Sequence, residues 1–197
     1  MTTTTPTTVP SDDPLLPRLR KLEDVPSIAA VDALLDRVGV GDAYGVVDGP
    51  IGPTWVAHND HGVAFTYLTD DEQEFTARHR ERLPRRLRRS PVPDEIASAI
   101  AASDGSGLTV DLRHVAPFQR DVLEATRAVL PGQTRSYGWV AQQIGRPAAV
   151  RAVGTALARN PIPIIIPCHR IVRGDGEIGS YLFGSDRKRL LLQIEAA

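Results

Sequence analysis

Residues 160–172 read N-P-I-P-I-I-I-P-C-H-R-I-V. Pro161 and Pro163 each remove a backbone donor and fix φ, which forbids a helix over this stretch. Ile164–Ile166 is a short apolar run between prolines, the pattern of a buried extended segment. It leads directly to Cys168, His169 and Arg170. Two readings of Cys168 follow. A lone cysteine behind a buried run is commonly an inert core thiol. With His169 beside it, and Arg170 adding positive charge that favours thiolate, it is a candidate nucleophile. Neighbouring residues on an extended chain point to opposite faces, so the pair needs a turn at Cys168 or a water between the side chains.

Working upstream, Ser136–Ile144 has the spacing of a short helix, capped by Thr134 or Ser136 and stopped by Gly145. Arg146-Pro147 opens a second helix to about Leu157. Two short helices around a G-R-P turn resemble a helix-turn-helix, although such pairs also serve only to pack. Before them, Phe118, Val122, Leu123, Thr126 and Leu130 share one helical face, with Pro117 in the first turn. From Arg113 onward the chain carries twelve basic and six acidic residues, a balance of +6. The net charge of −1 therefore leaves −7 for residues 1–112. A basic C-terminal part suits a polyanion partner.

The N-terminal part reads differently. Residues 1–26 are rich in Thr and Pro and predict a disordered leader. Ser27–Val38 has helical spacing, broken at Gly39–Gly41. Ala43–Val47, Thr54–His58 and Val63–Leu68 are short β-forming runs. They are separated by D-G-P-I-G-P and N-D-H-G, which predicts a three-stranded antiparallel meander. Asp71–Leu83 is a charged helix capped by Asp70 or Asp71. Arg85–Arg89, R-R-L-R-R, reads as a solvated stretch, with a phosphate patch as the alternative. Pro93–Ala102 is another short helix, and Leu108–Leu112 a strand.

The 197 residues are 42% hydrophobic, enough for one domain or two small ones. No apolar run is long enough to span a membrane. The opening residues lack a basic n-region and an apolar h-region, so no secretory signal is expected. One cysteine cannot form an internal disulfide or a zinc site of several thiolates, and it fits a reducing cytoplasm.

P-C-H-R-I-V, preceded by R-A-V-G-T-A-L-A-R-N-P-I-P-I-I-I, resembles the O6-alkylguanine-DNA alkyltransferases (methylated-DNA–protein-cysteine methyltransferases). G-S-Y-L-F-G-S-D-R-K-R-L-L-L-Q-I-E is similar to the family's C-terminal tail. The likeness runs from about Phe118 to Glu195, and is loose over residues 40–112. It implies an α/β (α+β) chain in three parts. These are a leader over 1–26, an RNase H-like N-terminal α/β domain over 27–112 with the three-stranded sheet, and a helical domain over 113–197. The last would hold a winged-helix-like helix-turn-helix and the alkyl acceptor.

The resemblance also implies roles. Cys168 would accept a methyl or other alkyl group from O6 of guanine, or O4 of thymine, once per molecule. His169 would deprotonate it through a water, and Glu195 would orient His169. Asn160 would tie the helix-turn-helix to the thiol loop. Arg151 would fill the gap left by a flipped nucleotide, and Tyr137 would crowd the phosphate and polarise the base. Ala148, Ala152, Gly154 and Thr155 would let the second helix approach the minor groove of double-stranded DNA. Pro163, Ile171, Tyr181, Leu182 and Phe183 would line the base pocket with Tyr137. Leu182-Phe183 follows a bulky pattern, and Ser180 replaces a common glycine. No cofactor, metal or membrane partner is implied, and the protein would act as a monomer. A damage-binding protein without chemistry and a cysteine hydrolase are the competing readings.

Overall fold

A computed structural model of the chain describes residues 41–196, together with Ser27, Ala30, Val31, Leu34 and Leu35. The leader expected over 1–26 lies outside the described residues. Of the helix expected over 27–38, Ala30, Val31, Leu34 and Leu35 are described and are helical. The Ser27 hydroxyl accepts from the Ala30 N–H at 3.1 Å.

Strands β1 (Gly41–Gly49), β2 (Gly52–Asn59) and β3 (Gly62–Leu68) form the expected meander. Its turns fall where the sequence places glycine. Gly52 and Gly62 adopt φ of +120° and +115°, a region that side chains with a Cβ resist. Val46 pairs with Trp55 and Ala57 with Phe65. The sheet has a fourth strand that the sequence reading missed. Arg86–Arg89 is β4, parallel to β1, in the order β3-β2-β1-β4. The reason is local. Leu87 packs against the aromatic cluster of Trp55, Phe65 and Phe75. One apolar residue among arginines is too little alternation to read, yet enough for a short edge strand.

Helix α1 (Glu72–Arg82) is capped by Asp71, whose carboxylate accepts from the Gln73 N–H at 2.7 Å. Helix α2 spans Asp94–Ala101. Leu108–Leu112 is not a strand. Val110 makes one isolated parallel bridge to Val63, and the chain then turns at Asp111, whose carboxylate accepts from the Arg113 N–H.

Helix α3 (Pro117–Arg127) buries Val122, Leu123 and Thr126. Leu130 lies beyond its end and is half exposed, while Val129 takes the buried place. Helix α4 (Tyr137–Gln143) is capped by Ser136, whose hydroxyl accepts from the Trp139 N–H at 3.1 Å. Gly145, at φ +68°, turns the chain. A 3-10 turn over Pro147–Ala149 then leads into α5 (Val150–Ala158). Two-residue strands β5 (Arg135–Ser136) and β6 (Ile171–Val172) pair in parallel, and α6 (Ser185–Glu195) ends the described chain.

One hydrophobic core joins Val56, Val63 and Ile100 to Leu123, Val140, Val153, Ile162, Ile166 and Ile171. Each such side chain contributes about 1.5–3 kcal/mol when fully buried. The described residues 41–196 belong to one compact unit. Among the described residues no helix is long and apolar enough to cross a membrane.

Ile164–Ile166 is buried as expected, but it is a turn and not an extended run. Ile164 sits at φ +74°, and the Ile166 N–H reaches back to the Ile162 carbonyl at 2.8 Å. Strand β3 imposes the reversal. Thr66 donates its N–H to Pro161 O at 2.9 Å and its hydroxyl to Pro163 O at 2.8 Å. The first half of the loop is thereby held along β3, and the chain reverses to bring Cys168 home.

Candidate active site

Cys168, His169 and Arg170 form a 3-10 turn, supplying the turn that a Cys-His pair on this chain requires. Cys168 is a free thiol, 6% exposed. The Asn160 amide donates to its Sγ at 3.2 Å and to Ile166 O at 2.9 Å, while Asn160 Oδ1 accepts from the Ile162 N–H at 3.0 Å. Asn160 follows α5 directly, so one buried amide connects that helix to the thiol and to both limbs of its loop. Burial pushes the thiol pKa up, against the opposing pull of the Asn160 amide and the Lys188 ammonium.

His169 is fully buried, and its Nε2 lies 2.7 Å from Glu195 Oε1. Its Nδ1 is buried without a protein partner. Burial lowers the His169 pKa, and the Glu195 carboxylate works against that. Burial would raise the Glu195 pKa, but hydrogen bonds from His169 and Arg170 outweigh it and hold the carboxyl at about 2. Glu195 is thus a fixed negative charge that favours one ring orientation.

Arg170 does something the sequence reading did not foresee. It grips Glu195 through Nε and Nη2 at 2.8 and 2.9 Å. It also donates to the carbonyls of Val129 and Ser103. Lys188 was missed as well. It is fully buried, donates to Ile171 O at 2.6 Å, and burial lowers its pKa to about 8. A readable signal existed, because Lys188, Leu191 and Glu195 share one helical face by their spacing.

Cys168 opens onto a cavity of about 200 Å3, also lined by Tyr137, Gly154, Leu157, Tyr181 and Leu182. Tyr137, the first residue of α4, is half-buried. Burial raises its hydroxyl pKa, with a further push from the Cys168 charge. Pro163, Ile171 and Phe183 are not among the lining residues. Pro163 is held by Thr66, Ile171 is in the core, and Phe183 packs edge-on against Tyr67 and Tyr181 at 5.3 and 5.6 Å. Helix α5 presents its other face outward. Arg151, Ala152 and Thr155 are exposed, as is Ala148 just before the helix, while Val153, Ala156 and Leu157 point into the core. Gly154 lies at the cavity rim between the two faces. Among the described residues no group of three or more His, Cys, Asp or Glu is placed to hold a metal.

Comparison with known proteins supports the same reading. Residues 117–197 match the family model described as 6-O-methylguanine DNA methyltransferase, DNA binding domain. The methylated-DNA–protein-cysteine methyltransferase of Mycobacterium tuberculosis H37Rv is 39% identical over 160 residues, covering 77% of this chain and 91% of that protein. The bifunctional transcriptional activator/DNA repair enzyme Ada of Escherichia coli K12 is 37% identical over 160 residues. The match covers 78% of this chain but 45% of Ada's length. The crystal structure of Mycobacterium tuberculosis OGT in complex with DNA superposes with a TM-score of 0.65 at 32% identity, covering 78% of this chain and 92% of that one.

Proposed function

The chain belongs to the methylated-DNA–protein-cysteine methyltransferases, and from that premise we propose that it repairs DNA by moving an alkyl group from O6 of guanine, or O4 of thymine, onto Cys168. The observation that carries the reading is the alignment of one buried thiol, an adjacent His169 and a clamped Glu195 beside a cavity large enough for a base.

His169 Nδ1, the ring nitrogen without a protein partner, takes the Cys168 proton through one water. Glu195 and Arg170 hold the imidazole for that transfer. The thiolate attacks the alkyl carbon. The S–C bond forms, the O6–C bond breaks, and the guanine oxygen leaves with the electron pair, which a proton then neutralises. Tyr137 stands at the cavity wall where it polarises the base. A thioether is not cleaved under these conditions, so each molecule acts once. The alkylated base is itself the donor, and no cofactor takes part.

A base inside a duplex does not reach a buried thiol, so the target nucleotide is flipped out. Arg151 projects from the exposed face of α5 to fill the gap. Ala148, Ala152, Gly154 and Thr155 keep that face low enough to enter the minor groove. Residues 113–197, with a winged-helix-like helix pair, form the DNA-binding and acceptor part, and residues 27–112 support its loop through Thr66. The protein acts as a cytoplasmic monomer.

Intact-mass measurement after incubation with a duplex containing O6-methylguanine tests this. The expected product carries one methyl in place of the thiol hydrogen, mapped to Cys168. Cys168→Ser should still bind the duplex and gain no mass, because a serine hydroxyl is far less readily ionised beside histidine. Methyl transfer by that variant would overturn the mechanism.

A further inference from the structure

A second cavity, of about 240 Å3, lies between β3, α1 and the 180–184 segment. We infer that it is a subsite for the distal end of long O6 substituents and that it favours those ending in an anion. The inference rests on the alkyl-transfer reading above.

The two cavities share a wall. Leu182 lines both, and Asn160, whose amide donates to Cys168 Sγ, lines the second. The residues on either side of Leu182 are seated. Tyr181 packs edge-on against His169 at 6.2 Å, and Phe183 against Tyr67 of β3 at 5.3 Å. Leu182 itself is 39% exposed. Gly179 and Gly184, at φ of +67° and +90°, bracket the segment. Leu182 is thus the part of the shared wall that neither aromatic contact holds.

The charge of the second cavity is uneven. Arg78 and Arg82 line it against one carboxylate, Glu81. Arg82 is committed in part, donating to Arg159 O at 2.9 Å. Arg78 lies over the Tyr67 ring at 5.7 Å and meets Glu74 and Glu81 at 3.7 and 4.0 Å, beyond hydrogen-bond length. Its planar fork is the natural partner of a carboxylate. A methyl group ends at the sulfur and never samples this space. A 4-substituted benzyl group carries its ring past Leu182 and its substituent toward Arg78. The chemical step is unchanged: the benzylic carbon bonds to sulfur as its bond to O6 breaks.

Rates of Cys168 alkylation, followed by intact mass on the full chain, test the subsite. Three free bases serve as probes: O6-benzylguanine and its 4-carboxy and 4-aminomethyl derivatives. A duplex carrying O6-methylguanine is the control. The carboxylate should react faster than the ammonium by about fivefold, the scale of a partly exposed ion pair, and the gap should narrow with added salt. Arg78→Gln should bring the ratio toward one and leave methyl transfer unchanged. Glu81→Gln, at an exposed position, should widen it, and covers the case in which the Arg78 variant folds poorly. Equal rates for the charged probes, or a ratio indifferent to both substitutions, would overturn the subsite. No methyl transfer from the control duplex would overturn the reading beneath it instead.

Discussion

Among the described residues there are two buried carboxylate–histidine–arginine networks, and only one of them stands beside a thiol. In the C-terminal part Glu195 meets His169 at 2.7 Å and Arg170 at 2.8 Å. In the sheet region Asp42 of β1 meets His79 of α1 at 2.8 Å and Arg85 at 3.4 Å, and Asn59 and Asp111 complete the cluster. Both imidazoles are fully buried, and both leave Nδ1 without a protein partner. The difference is what lies alongside. His79 is packed against Phe65 and Phe75, at 5.8 and 6.4 Å between ring centres. His169 shares its turn with Cys168, which opens on a cavity. On the proposed reading a carboxylate-bound histidine is therefore a fastening in one place and a base in the other, and the neighbour decides which.

Paired substitutions break the comparison most sharply. Glu195→Gln should slow methyl transfer by about 10²–10⁴-fold, the usual weight of a general-base assembly. Asp42→Asn should leave the rate per folded molecule within about twofold, since the sheet network touches no reacting atom. Single-turnover rates on a methylated duplex, normalised to active thiol, measure both. An equal loss in the two variants would mean that the networks are not separate devices.

Stability should erase that contrast. Removing one partner of a buried pair costs about 3–5 kcal/mol, because the other charge is left buried and unpaired. Asp42→Ala takes the carboxylate from the buried His79, while Arg85 keeps Asp111 at 2.7 Å, and should show an effect of that order in urea unfolding. Glu195→Ala strands Arg170 and should be comparably costly. A cost below about 1 kcal/mol at Asp42, the scale of an exposed pair, would show that the sheet cluster is solvated.

Acid should weaken both networks. The Glu195 carboxyl is held at about 2, below its ordinary range. Its stabilisation is therefore complete above about 4.3 and lost as pH falls toward 2, a change of about 3 kcal/mol. The lowered His169 pKa has the same sign, since the unfolded chain binds that proton first as pH drops below about 6.5. Burial opposes, but His79 and Asn59 lower, the Asp42 pKa, so the sheet cluster loses stability in acid too. Unfolding free energy followed from pH 7 to pH 3 should be less steep in Glu195→Gln than in the wild type. A slope unchanged by that substitution would remove Glu195 from the account.

Much of this was legible in the sequence, for identifiable reasons. Turn chemistry between short β-forming runs located β1, β2 and β3. Ser136, Gly145 and Pro147 marked the helix pair. What escaped notice needed tertiary partners. β4 forms because Leu87 finds an aromatic cluster, and Ile164–Ile166 turns because Thr66 occupies two carbonyls of the loop. Arg170 looked like a nearby positive charge, but its guanidinium is spent on Glu195 and two backbone carbonyls. The candidate reacting residues lie in motifs that read locally, and those that hold them are placed by the fold.

The smallest expected effect belongs to the reaction product. Methylation of Cys168 enlarges a side chain that is 6% exposed, and overpacking by one methyl costs about 1–3 kcal/mol. It also turns the acceptor of the Asn160 amide into a thioether, a weak acceptor. For a chain of this size each kcal/mol lowers Tm by about 2–4 °C, so the S-methyl form should melt several degrees early. The damage should be local. Asn160 connects the thiol loop to α5, so amide exchange should quicken over α5 and residues 160–170, and DNA affinity should fall with it. The Asp42–His79 cluster has no link to sulfur, and amides of β1 and α1 should stay protected. Melting curves, exchange maps and DNA titrations before and after reaction with a methylated oligonucleotide decide the matter. A Tm that holds or rises, with DNA affinity undiminished, sinks the idea that alkylation is sensed through Asn160. Loosening of β1 and α1 to the same degree would show that the two networks are coupled after all.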